Sequence, residues 1–259
     1  MTTETTIATQ GLTKRYGDLV AVDHLDLEVR AGELFGFLGP NGAGKSTTIR
    51  MLVGLLKPTA GQATVAGHDV VREALAVKSA IGYLAEHAFM YDKLTGGEYL
   101  RFIAGLYRVP AARAQPRIDR LLSLFDMAEK ADELIESYSN GMRQKLGIAS
   151  LLVHQPRVLF LDEPTNGLDP KSARLVKDVL RQLCEQGTTV FMSTHILEVA
   201  EHMCDRVAII NRARLVAVGT VAELRQRVSA DHSSLEDVFL ELTGGAESAE
   251  LASLLAADR

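Results

Sequence analysis

The chain of 259 residues has only two cysteines, Cys184 and Cys204, and neither belongs to a CxxC pair. That excludes a disulfide scaffold and leaves two buried or idle thiols as the expectation. Basic charge is not in excess. The 28 Lys and Arg residues face 33 Asp and Glu, a formal net charge of −5. Such a balance does not suit a protein that coats nucleic acid through counterion release, although a local basic groove stays compatible with it. Apolar runs are short, the longest being Leu146 to Val153, against the roughly 20 residues a membrane span needs. Met1 to Thr9 is Thr-rich and lacks the apolar stretch of a secretory signal. No internal repeat and no HExxH is present. His195, Glu198 and His202 share a helical face, but the two histidines would lie two turns apart, so zinc is not expected. The six histidines other than His195 show no partner pattern. The expectation is a soluble, cytoplasmic chain, with any membrane part supplied by another protein.

What is present is an ordinary globular composition, 47% apolar and 24% charged, enough for one large α/β domain or two modest ones. Leu25, Leu27 and Val29 alternate with Asp26, Glu28 and Arg30, the pattern of a half-buried strand. Leu34-Phe35-Gly36-Phe37-Leu38, Val158-Leu159-Phe160-Leu161 and Thr189-Val190-Phe191-Met192 read as strands buried on both faces, the habit of parallel sheets. Each is followed by polar residues and a helical pattern, which predicts an α/β fold with loops gathered at the strands' carboxyl ends. From about Glu86 to Gln155 the pattern changes. Ile118, Leu121, Leu122 and Phe125 mark one helix face, Thr95 and Glu98 resemble a capping box, and Pro110 and Pro116 read as punctuation. This predicts a helical insertion in the α/β core. Arg212 and Arg214 fall in an apparent hairpin and read as turn charges. Helical pattern returns from about Thr220, and Ala246 to Arg259 is Ala-rich and weakly specified.

Two motifs carry chemistry by themselves. Gly39-Pro40-Asn41-Gly42-Ala43-Gly44-Lys45-Ser46-Thr47 fits GxxxxGK[ST]. Its glycines let the backbone wrap a triphosphate, and the following helix aims amides and its positive dipole end at the phosphates. Lys45 supplies a point charge, Ser46 a hydroxyl for Mg²⁺, and Thr47 a further donor. The alternative of a chance glycine turn is opposed by the buried strand before it and by Ile49, Met51 and Leu52 on an apolar helix face after it. The second motif is the hydrophobic strand that ends in Asp162 and Glu163. The first acid can hold Mg²⁺ through water, and the next can reach a water in line with a γ-phosphate. Phosphoryl transfer to water needs that charge neutralisation and that positioned nucleophile.

With three further motifs these two resemble the nucleotide-binding subunit of ABC transporters. Ser139-Asn140-Gly141-Met142-Arg143-Gln144 resembles the family signature, Asn166-Gly167-Leu168-Asp169 the D-loop, and Ser193-Thr194-His195 the switch histidine. Tyr16 matches the aromatic that stacks on adenine. The elements run in the family's order from about Ile7 to Gly219. The resemblance implies a P-loop NTPase, RecA-like α/β core with an antiparallel β subdomain and an inserted α-helical subdomain at about 87–155. That ATPase domain would span 1–225, with a C-terminal helical extension at 226–259. It also implies ATP and Mg²⁺ as cofactors, Glu163 and His195 as catalytic residues, and Ser139, Gly141, Asp169 and Tyr16 as nucleotide contacts beside residues 39–47. A second ABC ATPase subunit, identical or not, would close two ATP molecules head to tail. A separate permease would hold the pair at the cytoplasmic face of the membrane, and no nucleic acid is implied.

Two positions depart from the family. Asn140 stands for the first glycine of the signature pair, with αL tolerance expected to preserve the turn. Glu86 stands where the family has its Q-loop glutamine, either as a metal ligand with Ser46 and Asp162 or as a solvated acid. Ser234 to Gly244 resembles an ending common among members that pair with type-two permeases and export. By pattern alone, Leu235, Val238, Phe239 and Leu242 equally suit a helix packed on its own core. Arg143 and Lys145 face either nucleotide or a partner, or else form a solvated helix face. The rivals to a transport ATPase are a non-transport ABC-type ATPase and a nucleotide-sensing regulatory module.

Overall fold

The computed structural model describes residues 4–86, 89–228 and 234–243, so the run from Ala246 lies outside the described residues. In chain order come β1 (Thr5–Tyr16), β2 (Leu19–Arg30), β3 (Leu34–Leu38), α1 (Lys45–Leu52), β4 (Ala60–Val65), β5 (His68–Asp69), α2 (Ala74–Ala80) and β6 (Ile81–Leu84). Three helices follow, α3 (Gly96–Leu106), α4 (Ala111–Leu124) and α5 (Asn140–Leu152). The chain then runs through β7 (Val158–Asp162), α6 (Pro170–Glu185), β8 (Thr189–Thr194), α7 (Leu197–Met203), β9 (Arg206–Asn211), β10 (Arg214–Gly219), α8 (Val221–Val228) and α9 (Leu235–Thr243).

Leu25, Leu27 and Val29 are buried while Asp26, Glu28 and Arg30 are exposed. This is how a strand sorts its residues when one face is dry. The strand, β2, belongs to an antiparallel sheet of order β2-β1-β4-β5. A second sheet of order β10-β9-β3-β8-β7-β6 is parallel apart from its β10 edge. Every residue of β3, β7 and β8 is buried, because both faces of this sheet are covered. The two faces divide by period two. Phe35, Phe37, Phe160 and Phe191 point toward the antiparallel sheet and its Ile7, Val22 and Leu25. Leu34, Leu159, Leu161, Val190 and Met192 point toward α3 to α6. Phe191 is the hub, with ring centroids 5.7, 5.3 and 5.5 Å from Phe35, Phe37 and Phe160.

The helical insertion lies between the adjacent parallel strands β6 and β7. The capping box at α3 is present: Glu98 N–H donates to Thr95 Oγ1 at 3.2 Å, and Thr95 N–H donates to Glu98 Oε2 at 2.9 Å. Pro116 does not punctuate; it sits inside α4. As the sixth residue of α4 it forgoes the backbone bond to the Ala112 carbonyl, yet Ala114, Ile118, Leu121 and Leu122 still bury their side of the helix. At the other end of the chain, Leu235 and Val238 of α9 are buried against Leu38, Val207, Ile209 and Leu224. The 225/226 boundary read from the sequence falls within α8, and α9 packs on the core.

His154 follows α5, and its ring lies flat on Tyr107, with centroids 3.5 Å apart at 10°. Its Nε2 is 2.9 Å from the Ile81 carbonyl, which can only accept, so Nε2 carries the proton. Nδ1 is buried without a partner. Burial pushes the imidazole pKa down, and Arg117 adds to this against the opposing Ile81 bond. The unfolded chain, titrating near pH ~6.5, therefore takes up this proton first as pH falls. The stabilisation is complete above that value and is lost as pH drops through the lower folded value. Urea melts at about pH 7 and about pH 5.5 are expected to show the loss, with a shallower pH slope in His154→Gln. An equal slope in both proteins assigns the effect to other groups.

Candidate functional site

Register brings three sequence-distant segments to one place. Leu38 of β3 pairs with Thr194 of β8, and Asp162 of β7 pairs with Ser193. Gly39, Glu163 and His195 are therefore each the first residue past the carboxyl end of neighbouring parallel strands. With strands about 4.8 Å apart, the three loops meet in the crevice where open α/β sheets hold their ligands. A cleft of about 380 Å³ opens there. It is lined by Tyr16, Asn41, Gly42, Gly44, Lys45, Ser46, Thr47, Glu86, Asp162, Glu163 and His195.

Residues 39–44 need glycine for two different reasons. Gly42 and Gly44 have φ of +79° and +111°, and a Cβ on Gly44 would also lie 2.4 Å from the Ala21 carbonyl. Gly39 has no such φ; a Cβ there would meet the Ile210 carbonyl at 2.4 Å. The loop is held from outside by Ala213, whose N–H donates to the Ala43 carbonyl at 3.2 Å. Pro40 and Ala43 shape the loop without lining the cleft. Lys45 Nζ donates to the carbonyls of Gly39 at 2.7 Å and Pro40 at 3.2 Å. Burial lowers the Lys45 pKa, while Glu163, Asp162 and Glu86 raise it in turn. Ser46 and Thr47 stand in the first turn of α1, whose N-cap is Gly44.

Glu163 is 5% exposed and has a left-handed φ of 53°, a conformation that costs a non-glycine residue about 1–3 kcal/mol. Backbone bonds pin it: Glu163 N–H donates to Ser193 O and Asn166 N–H to Glu163 O, each at 3.1 Å. Its carboxylate accepts from Thr194 Oγ1 at 3.0 Å, from the His195 backbone N–H at 3.0 Å and from His195 Nδ1 at 2.8 Å. A carboxylate only accepts, so Nδ1 carries the proton and Nε2 is left to serve the cleft. Asp162 is buried and accepts from the Ser193 hydroxyl. Ser193 and Thr194 hold the two acids, yet sequence reading gave them no site role of their own. Their place at the end of the strand paired with β7 was the usable signal. Leu19, Val20 and Ala21 of β2 also line the cleft unforeseen.

Tyr16 ends β1, is half exposed, and has Lys14 Nζ 5.1 Å from its ring centroid. Glu86 borders the phosphate-loop cleft and also a second hollow lined by Asn140, Arg143, Gln144 and Asn166. It is shared by both hollows.

The signature stretch is not brought to this cleft. Ser139 caps α5, accepting from Met142 N–H at 3.3 Å. Asn140 is the first residue of α5 and is not left-handed. The αL tolerance expected of it is therefore not used, because the cap at Ser139 makes the turn and the next residue is already helical. Around Gly141 the nearest atom to an added Cβ lies 3.8 Å away, so no contact within the chain demands glycine there. Asp169 caps α6, accepting from Ser172 Oγ at 2.6 Å and Ser172 N–H at 3.0 Å. The Ser172 hydroxyl leads in holding its pKa down. Arg143, partly exposed, pairs with Asp92 at 2.7 Å. Arg214 opens β10 and pairs with Asp23 at 2.8 Å, which corrects its reading as a turn charge; Arg212 keeps that place with φ 47°. Among the described residues no metal cluster of His, Cys, Asp and Glu forms. Cys184 and Cys204 are unpaired thiols, and burial pushes Cys184 up to about 12.

A family profile described as ABC transporter matches residues 22–166. The daunorubicin resistance ATP-binding protein DrrA3 of Streptomyces coeruleorubidus is 46% identical over 241 residues, covering 93% of this chain and 75% of that protein. The daunorubicin/doxorubicin resistance ATP-binding protein DrrA of Streptomyces peucetius is 45% identical, covering 87% and 68%. Among solved structures, an ATP-binding subunit of an ABC transporter superposes with a TM-score of 0.86 at 29% identity, covering 91% of this chain and 98% of that one.

Proposed function

This chain belongs to the ABC transporter family of ATP-binding subunits, which hydrolyse ATP and work with a transmembrane permease, and from that premise we propose how its residues divide the work. Lys45 and the amides of residues 39–47 bind the triphosphate, and Tyr16 stacks on the base. Glu163 takes the proton of the attacking water. His195 fixes the carboxylate through Nδ1 and offers Nε2 toward the γ-phosphate. Ser46, Asp162 and Glu86 are three hard oxygen donors on one cleft, a set that fits Mg²⁺. When bound, the ion would neutralise charge on the β- and γ-phosphates. The observation that carries this reading is the 2.8 Å bond between Glu163 and His195 at the head of the cleft that holds Lys45. A mere sensor of nucleotide has no use for a buried, strained and triply held carboxylate, so the regulatory-module reading is set aside. The net charge of −5 speaks against a non-transport ABC-type ATPase that works on nucleic acid.

The partner reading rests on what the chain leaves unused. The capped start of α5 at Ser139 and Gly141 offers amides and a positive dipole end, but away from the chain's own cleft. We therefore assign it to the triphosphate of a second ATPase subunit, with Asp169 at that seam. No helix among the described residues is long and apolar enough to cross a membrane; we assign the chain to the cytoplasmic face, held there by its permease. Resistance in the names of the two Streptomyces relatives supports export of a drug-like compound. Residues up to about 225 form the ATPase, with 87–155 as its helical insertion, and residues 226–259 form its C-terminal extension, of which α9 is packed on the core.

The test is co-expression with the permease encoded for the same system. The chain is expected in the membrane fraction only when that permease is present, as two ATPase subunits per complex, and ATP-driven efflux of the compound is expected to require both. A chain that stays in the soluble fraction with every candidate permease defeats the partner reading.

A further inference from the structure

The nucleotide cleft lies at the carboxyl ends of the strands, and a second concave site lies at their amino ends. His154 there bonds to Ile81, the first residue of β6, and Gln186 precedes β8. A cavity of about 710 Å³ opens between the turn joining α3 to α4, one face of α4 and the segment after α5. Four arginines line it, Arg108, Arg113, Arg117 and Arg120, with Tyr107 and His154. Arg113, Arg117 and Arg120 are spaced four and three residues apart, so they share one face of the helix. No Asp or Glu lines the cavity.

The fold does not account for this cluster. Several exposed cations elsewhere are paired, as in Lys93–Glu136, Lys130–Glu133, Lys171–Asp126 and Arg181–Asp205, whereas these four gather on one cavity that no carboxylate lines. Among the described residues, Arg108, Arg113 and Arg120 have no ion pair and no side-chain hydrogen bond. Arg117 spends its Nε–H on the Leu152 carbonyl at 2.8 Å, at the end of α5. Burial, and then the neighbouring Arg120, push the Arg117 pKa down. Like charges at helical spacing repel each other, and here they gather on a chain whose formal net charge is −5. The turn that carries Arg108 is itself left-handed at that residue, with φ 54°.

We infer that this cavity binds a compact anion of two or more linked phosphates, gripped by the guanidinium groups of Arg108, Arg113, Arg117 and Arg120. Planar guanidinium forks match phosphate oxygens two at a time, which a lysine cannot do. The volume is that of a small-molecule site, concave and larger than one phosphate requires. Nothing in this site overlaps the residues that serve the nucleotide.

Calorimetric titration of tripolyphosphate in magnesium-free buffer tests it, on the full chain carrying Lys45→Ala to silence the phosphate loop. Binding is expected, weakening as salt rises. Adding Arg113→Gln and Arg120→Gln, both exposed, is expected to weaken it about tenfold or more. In the otherwise wild-type chain the same pair is expected to leave basal ATP hydrolysis unchanged and the thermal midpoint no lower than before, since it relieves like-charge repulsion. No heat, or heat indifferent to the two arginines, overturns the site. A parallel sedimentation with vesicles of phosphatidylcholine and phosphatidylglycerol separates the sources. Arginine-dependent capture by vesicles without tripolyphosphate binding assigns the cavity to a lipid headgroup and overturns the soluble ligand.

Discussion

Glu163→Gln is expected to slow ATP hydrolysis by about 10²-fold, within the ~10²–10⁴ range that a general base supplies, while leaving ATP affinity intact. The substitution is sterically silent. The amide oxygen can still accept from the His195 N–H, and the amide nitrogen can donate to Thr194 Oγ1. That oxygen now accepts from the Ile196 N–H at 3.1 Å and has a second lone pair to give. The backbone bonds to Ser193 and Asn166 that hold the left-handed residue are untouched. What disappears is the ability to take a proton. Hydrolysis should then trail dimer closure, and the variant with Mg-ATP is expected to elute as an ATP-held dimer. Steady-state phosphate release and size-exclusion chromatography read the two effects separately. Wild-type turnover in this variant removes Glu163 from the proton-accepting role.

Lys45→Ala is expected to weaken ATP binding by about a hundredfold, ~3 kcal/mol, the scale of two charge-assisted hydrogen bonds lost. The reason lies in the local charge balance. Lys45 is the cation of a cleft that also holds Asp162, Glu163 and Glu86, and each of these acids favours its charged form. Without the ammonium, three carboxylates face a polyanion with only backbone amides to offset them. In the folded chain Lys45 Nζ rests on the Gly39 and Pro40 carbonyls, so its loss also loosens the loop. Calorimetry with ATP measures the effect, and unchanged affinity contradicts the phosphate-loop reading.

Much of this site is legible in the sequence alone. Residues 39–47 announce themselves because wrapping a triphosphate restricts both residue type and spacing within a single local segment. The acidic end of β7 and the start of α3 were legible for the same local reason: one is an apolar run ended by two acids, the other a cap whose partners lie three residues apart. Other features were not legible because their causes are distant in sequence. Gly39 is required by the Ile210 carbonyl, and Arg143 is claimed by Asp92. Asn140 proved to be an ordinary helical residue, since the Ser139 cap relieves it of the left-handed turn.

By itself the sequence determined the chemistry the chain can perform and the layered α/β plan, because phosphate binding, strand burial and helix capping are written in neighbouring residues. Tertiary structure alone decided that Thr194 and His195 close on Glu163, that Glu86 is shared by two hollows, and that arginines four and three residues apart share a cavity with His154. Those outcomes depend on strand order and register, which bring together residues far apart along the chain and which no local pattern encodes.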